Sequence, residues 1–167
     1  MSSVYRNILV AVDGSPDADA ALAHAAALAR DQHARLTLLT AIPPIPATAL
    51  LATGAAPPRA EVVKHYSELL RHATDSLPGD ISVTTLLVDG PAAKALIERA
   101  KSGAFDLIVM GSHGHGRLHQ SLLGCVSQKV LHASPIPVLL TRAPVEEPAT
   151  APAPTMESSL DISPMTS

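Results

Sequence analysis

Cysteine and aromatic residues are scarce in this chain of 167 residues. It has one cysteine, no tryptophan, and only 2% aromatic residues. A single cysteine excludes an internal disulfide, so the fold must depend on its apolar core, as is usual in a reducing compartment. Because aromatic side chains are so few, we expect that core to consist of alanine, valine, leucine and isoleucine.

The chain also lacks an excess of basic charge and any long apolar run. Its formal net charge is −3, and lysine and arginine are scattered along it, which argues against nucleic acid or an anionic membrane surface as a partner. No apolar stretch approaches the ~20 residues of a membrane span, and the beginning lacks the apolar segment of a signal peptide. We therefore expect a cytoplasmic protein with neither a nucleic-acid nor a membrane partner.

Five short aliphatic runs alternate with segments of helical spacing, in a length that suits one domain. The predicted strands are residues 8–12, 35–42, 81–88, 105–110 and 135–140. The predicted helices are about residues 16–31, 61–77, 91–103 and 118–133. This alternation predicts a single-domain α/β fold, in which helices flank both faces of a parallel five-stranded sheet. The pattern alone leaves the strand order open.

Two segments have the composition of irregular chain. Residues 43–58 are rich in proline and alanine, which predicts a long loop, either a solvated connection or a lid over a ligand. Residues 143–167 are rich in proline, alanine, serine and threonine, without apolar periodicity. They predict a disordered tail after a domain of residues 1–142. A partner-binding segment anchored by Leu160 and Ile162 is the alternative.

The most informative motif is a set of glycines after the fourth predicted strand, at Gly111, Gly114 and Gly124. Glycine permits left-handed dihedrals and close approach of an anion to peptide N–H groups, and a helix start adds partial positive charge. The motif therefore favours phosphate binding, although it is neither a Walker A loop nor G-x-G-x-x-G. A tight turn without a ligand is the alternative.

Histidines in the same segment invite two further hypotheses. His113, His115 and His119 are spaced H-x-H-x3-H, but neither cysteine nor carboxylate lies nearby to complete a zinc site, so we predict no metal centre. Ser112, His113 and Asp13 have the residue types of a hydrolytic triad. Since Ser112 lacks the G-x-S-x-G elbow, we predict no catalytic residue.

These motifs together resemble those of the ATP-binding branch of the universal stress protein family. Its pattern is G-x2-G-x9-G followed by Ser or Thr, and the three glycines fit, whereas Cys125 occupies the hydroxyl position. Residues 7–15 and 134–140 are similar to the first and last strands of that family. The resemblance covers roughly residues 4–142.

The resemblance implies a Rossmann-like strand order, 3-2-1-4-5, which places the ligand beyond the carboxyl ends of strands one and four. It implies ATP as the ligand, Mg²⁺ held through the phosphates, and a homodimer formed through residues 136–140. The implied nucleotide-binding residues are Ala11, Asp13, Ala41, Met110, Gly111, His113, Gly114, His115, Gly116, Arg117, Gly124, Cys125, Val126 and Ser127.

Three of those residues have a second interpretation. Asp13 is also a common turn former, Arg117 could be a solvated surface charge, and Cys125 could be a small apolar residue buried in the core. The implied function is a nucleotide-dependent regulatory dimer of the stress response. A dimeric scaffold that has lost nucleotide binding is the alternative, and a slow ATPase is a weaker one.

Overall fold

A computed structural model describes residues 4–115 and 123–144 of the chain. The strands are β1 (Asn7–Ala11), β2 (Arg35–Ile42), β3 (Val83–Asp89), β4 (Leu107–Gly111) and β5 (Val138–Thr141). The helices are α1 (Pro16–Gln32), α2 (Ala47–Thr53), α3 (Arg59–Asp75), α4 (Ala92–Lys101) and α5 (Cys125–Ala133). None of the described helices is long and apolar enough to cross a membrane.

The five strands form one parallel sheet in the order β3-β2-β1-β4-β5. This arrangement confirms the predicted fold class and strand order. In β1 and β4, Leu9 pairs with Ile108 and Val10 pairs with Val109. The two strands therefore end side by side, and the loops that follow them lie together, although about a hundred residues separate them in the sequence.

Two aliphatic layers cover the sheet, since successive strand side chains point to opposite faces. On one face, Ile8 and Val10 pack with Ala21 and Ala25 of α1 and Leu70 of α3. On the other face, Leu9 and Ile108 pack with Leu96 of α4 and Val130 of α5. The alanines of α1 bring that helix close to the sheet, as their small side chains allow. This explains how a domain with few aromatic residues is filled.

The structure corrects two element boundaries. A seven-residue helix, α2, lies inside the segment predicted to be loop, because an alanine- and leucine-rich run follows Pro46 and ends at Gly54 in a left-handed conformation. The helix predicted over 118–133 begins only at Cys125 in the described residues, with Gly124 as its N-cap. Residues 118–122 and the greater part of the predicted tail, 145–167, lie outside the described residues.

Candidate functional site

A cleft of about 390 Å³ opens beyond the carboxyl ends of β1, β2 and β4. All twelve described residues of the predicted set line it, namely Ala11, Asp13, Ala41, Met110, Gly111, His113, Gly114, His115, Gly124, Cys125, Val126 and Ser127. Gly116, Arg117 and His119 lie outside the described residues. The structure therefore brings together every described candidate, from four separate parts of the chain, at the switch point of the sheet.

One end of the cleft is apolar. Leu39, Pro43, Leu96 and Met110 line it, and Tyr66 of α3 reaches it from the side. Apolar walls with a few polar groups are typical of sites for small organic ligands. Tyr66 lies inside the helix predicted over residues 61–77, and the sequence did not identify it as a cleft residue. The sequence around Tyr66 gives no sign that this residue lines a cleft, because helical spacing is the same for a core residue and for a residue in a cleft wall.

The three motif glycines allow close packing of backbone, and they do so without positive φ angles. The left-handed dihedrals that glycine permits are therefore not used at these positions. A Cβ at Gly111 would lie 2.8 Å from Ala18 N, and one at Gly114 would lie 2.7 Å from Asp13 Oδ2. At Gly124 it would lie 3.1 Å from Ser112 O. Gly111 therefore lets α1 approach β4, while the other two draw the cleft loops together.

The beginning of α5 forms the polar end of the cleft. Its first N–H groups, on Cys125, Val126 and Ser127, have no carbonyl four residues earlier within the helix, so they carry partial positive charge. No side chain caps this helix. Among the described residues lining the cleft there is neither lysine nor arginine. Among the described residues, these N–H groups and the two histidines of the loop are the groups available to bind an anion here.

The side chains at this helix start differ in exposure. Cys125 is exposed, so the alternative interpretation, that it is a small apolar residue buried in the core, is wrong. Ser127 is buried, and its hydroxyl donates to Ser112 O at 2.8 Å and to Gly124 O at 2.9 Å. That hydroxyl fixes the glycine loop against α5. A contact from Ser127 to phosphate stays a prediction.

Asp13 forms the turn and also faces the cleft. Its Oδ1 accepts a hydrogen bond from the Ser15 N–H at 2.9 Å, while Oδ2 lies beside Gly114. The carbonyl of the same residue is hydrogen-bonded to His115 Nε2. The two interpretations of Asp13 are therefore compatible, since one carboxylate oxygen shapes the turn and the other is directed toward the loop.

Asp17 organises the site, and sequence reasoning missed it. Its side chain is only 5% exposed. Oδ2 accepts hydrogen bonds from the Ser112 hydroxyl at 2.9 Å and the His113 N–H at 3.1 Å, and lies 3.4 Å from His113 Nδ1. Oδ1 accepts from the Ala143 N–H at 2.9 Å. One side chain of α1 thus holds the glycine loop and the segment after β5.

The environment of Asp17 has opposing effects on its pKa. Burial by itself raises the pKa, because it disfavours the charged form. The hydrogen bonds from the Ala143 N–H, the Ser112 hydroxyl, and the N–H and ring of His113 outweigh burial and hold the pKa below its usual value. Asp17 is therefore a carboxylate at neutral pH and supplies a fixed negative charge beneath the loop.

Among the described residues, no group of three histidine, cysteine, aspartate or glutamate side chains could hold a metal ion. Nor is Ser112 arranged as a nucleophile. Its Oγ lies 3.0 Å from His113 Nδ1, but its hydroxyl donates to Asp17, and it is buried beneath the loop rather than exposed on a sharp turn. The geometry is that of a binding cleft.

A parallel sheet with this strand order, and a cleft at the switch point, define a doubly wound α/β domain. Residues 4–142 match the universal stress protein family. The "Universal stress protein in QAH/OAS sulfhydrylase 3'region" of Thermus aquaticus is 36% identical over 142 residues, which cover 83% of this chain and 100% of that protein. The chain belongs to the universal stress protein family.

Solved structures support the same conclusion. Universal stress protein UspA from Lactobacillus plantarum has a TM-score of 0.64 at 25% identity, with 83% of this chain and 98% of that chain covered. A universal stress protein solved in complex with cAMP has a TM-score of 0.64 at 25% identity, with 85% of this chain and 100% of that chain covered.

Proposed function

We propose that this protein binds ATP, with Mg²⁺ held through the phosphates, and uses the nucleotide to regulate a cytoplasmic dimer. The observation that carries the proposal is the cleft itself. It joins an apolar end to an uncapped helix N-terminus, and twelve candidate residues from distant segments line it. A solved relative in complex with cAMP supports an adenine nucleotide as the class of ligand.

The apolar end suits the base. Leu39, Leu96 and Met110 are apolar lining residues of the cleft, and Ala11 and Ala41 also line it. Backbone N–H and C=O groups can distinguish one purine edge from another, because a mismatched polar group would be left unpaired. We therefore expect ATP to bind more tightly than GTP.

The α5 end suits the phosphates. Helix N-termini bind anions through their unpaired N–H groups, and Gly114 and Gly124 let the loops around this helix start pack closely against Asp13 and Ser112. The described lining has neither lysine nor arginine, so Mg²⁺ would neutralise the phosphates together with Arg117, which lies outside the described residues. This ion usually binds phosphates together with water and few protein ligands.

The dimer would form through the edge of the sheet. Among the described strands, β5 pairs with β4 alone, so its other edge presents unpaired backbone groups that a second copy could bind. The carboxylate of Asp17 contacts both the glycine loop and Ala143 beyond β5. This gives a short physical connection between the nucleotide and the dimer edge.

Titration calorimetry with Mg-ATP tests the proposal, together with a matched pair of variants. Val126 and Leu131 are both on α5 and are 39% and 42% exposed, but only Val126 lines the cleft. Val126→Glu places a negative charge beside the phosphates and should weaken Mg-ATP about tenfold or more, near 1.4 kcal/mol. Leu131→Glu should leave the affinity unchanged.

Failure of the wild-type protein to bind Mg-ATP at millimolar concentration would reject the nucleotide function. Absence of nucleotide after denaturing freshly purified protein would strengthen that result. The remaining candidate would then be a dimeric scaffold without nucleotide, for which Cys125 in the hydroxyl position of the motif is the sign. Repeated turnover with release of phosphate would instead indicate an ATPase.

A further inference from the structure

A second groove, of about 820 Å³, lies between α4 and α5, on the sheet face opposite α1 and α3. Apolar residues, including Ala93 and Ile97, form part of its lining. Lys94, Lys101, Lys129 and His132 also line it, with Glu98 as its one carboxylate. The groove therefore combines an apolar surface with an excess of positive charge.

The concentration of lysine in this groove is unusual for the chain. The sequence has four lysines, and three of them line it, the fourth being Lys64 on α3. Lys94 lies 3.9 Å from Glu98, in an exposed pair of a kind that contributes little. In the described part of the chain, Lys101 and Lys129 form no ion pair. Two cationic side chains are thus left to bind an anionic occupant.

The chain carries a matching segment beyond its last described residue, Pro144. Residues 145–167 contain Glu146, Glu147, Glu157 and Asp161, and neither lysine nor arginine. The segment follows β5, an edge strand that packs against α5. Because the Ala143 N–H just before it binds Asp17 of α1, on the other face, the segment must pass around the edge of the sheet to reach the groove. Its Leu160 and Ile162 are apolar residues of a size that could cover Ile97.

We propose that residues 145–167 bind in cis to the groove between α4 and α5, with their carboxylates near the three lysines. The segment is long enough to reach the groove around the edge of the sheet. Thirteen residues lead from Pro144 to Glu157 and can span up to about 43 Å, whereas a helix with its side chains is only about 10–12 Å wide. A tethered segment also has an effective concentration in the millimolar range. The inference is independent of the nucleotide function.

Lysine acylation of the full chain tests the proposal, and Lys64 is a matched control. Lys64 lies 3.9 Å from Glu68 and is 75% exposed, while Lys94 lies 3.9 Å from Glu98 and is 71% exposed. Their intrinsic reactivities should therefore be alike. Occupation of the groove for two-thirds of the time would slow acylation of Lys94, Lys101 and Lys129 about threefold relative to Lys64.

The full chain with Glu146→Gln, Glu147→Gln, Glu157→Gln and Asp161→Asn should lose this protection, and so should the wild-type chain in 1 M salt, where charges are screened within about 3 Å. Equal reactivity of Lys94 and Lys64 in every condition would overturn the proposal.

Zero-length carbodiimide cross-linking identifies the occupant. In a mixture of ¹⁵N-labelled and unlabelled protein, we expect amide bonds from the acidic segment to the groove lysines within one chain. Cross-links that join labelled to unlabelled chains would show that a second copy occupies the groove, which would contradict binding in cis. Absence of any cross-link to these lysines would do so as well.

Discussion

Asp17→Asn removes one buried charge from the protein and leaves the shape of the side chain almost unchanged. The carboxylate accepts hydrogen bonds from three donors, the Ser112 hydroxyl and the N–H groups of His113 and Ala143. An amide has only one acceptor oxygen, and its NH₂ group would face a donor wherever it is placed. At least one buried N–H therefore loses its acceptor.

The cost follows from those contacts. An unsatisfied buried donor costs about 1–3 kcal/mol, and the remaining hydrogen bonds lose their assistance from charge. We expect Asp17→Asn to lower the free energy of unfolding by about 2–3 kcal/mol at pH 7, or to lower the Tm by roughly 4–12 °C for a domain of this size. Asp19 is the matched control, since it is exposed and lies in the same first helical turn.

The pH dependence of the free energy of unfolding gives a sharper test than the loss of stability at pH 7 alone. Because the pKa of Asp17 is lower in the folded protein than its usual 3.8, its stabilisation is complete above that value and is lost as the pH falls through the folded-state pKa. The difference between wild type and Asp17→Asn should therefore shrink below about pH 4. Urea unfolding of both proteins between pH 7 and pH 3 measures this difference in the free energy of unfolding. An equal loss in Asp17→Asn and Asp19→Asn, or a difference that stays constant down to pH 3, would refute the reasoning.

Three further predictions concern the loop, the packing and the assembly. Cys125→Ser should tighten Mg-ATP by about 0.5–1.5 kcal/mol, since a hydroxyl is a better donor than a thiol; unchanged affinity in calorimetry would show that this side chain does not contact phosphate. Gly111→Ala should destabilise the fold by about 2 kcal/mol or more, because its Cβ would lie 2.8 Å from Ala18 N. Gly79→Ala, with open space around it, should change urea stability by less than about 0.5 kcal/mol, and equal losses would contradict the packing argument. Sedimentation should show a dimer at tens of micromolar, and Leu140→Pro in β5, where the lost N–H points away from β4, should dissociate it; a wild-type monomer would contradict assembly through that strand.

Much of the fold could be predicted because its signals are local. Each strand is a short aliphatic run, and Ser15 before Pro16 predicts the beginning of α1, where the Ser15 hydroxyl accepts the Ala18 N–H. The beginning of α5 was misplaced because the residues before Gly124 also have helical spacing. There Gly124, an N-cap residue without a side chain, determines where the helix starts, and the apolar pattern does not.

The candidate site was predictable only in part. Its glycines and Asp13 follow strands directly, so topology brings them together once the strand order is given. The role of Asp17 depends on partners 95 and 126 residues away along the chain, Ser112 and Ala143. In sequence, Asp17 has the same appearance as Asp19, an acidic residue in a first helical turn. Only the tertiary structure distinguishes the buried carboxylate from the exposed one.

The most direct test of the central claim is the melting temperature of the full chain with Mg-ATP, compared with Mg²⁺ alone and with Mg-GTP. A ligand that binds only the folded state adds about 2.7 kcal/mol at a hundred times its dissociation constant, which corresponds to a rise of roughly 5–10 °C. We predict this rise with Mg-ATP, a smaller one with Mg-GTP, and a reduced one in Val126→Glu at the same nucleotide concentration. No shift at millimolar Mg-ATP, in protein from which no nucleotide is released on denaturation, would contradict the account.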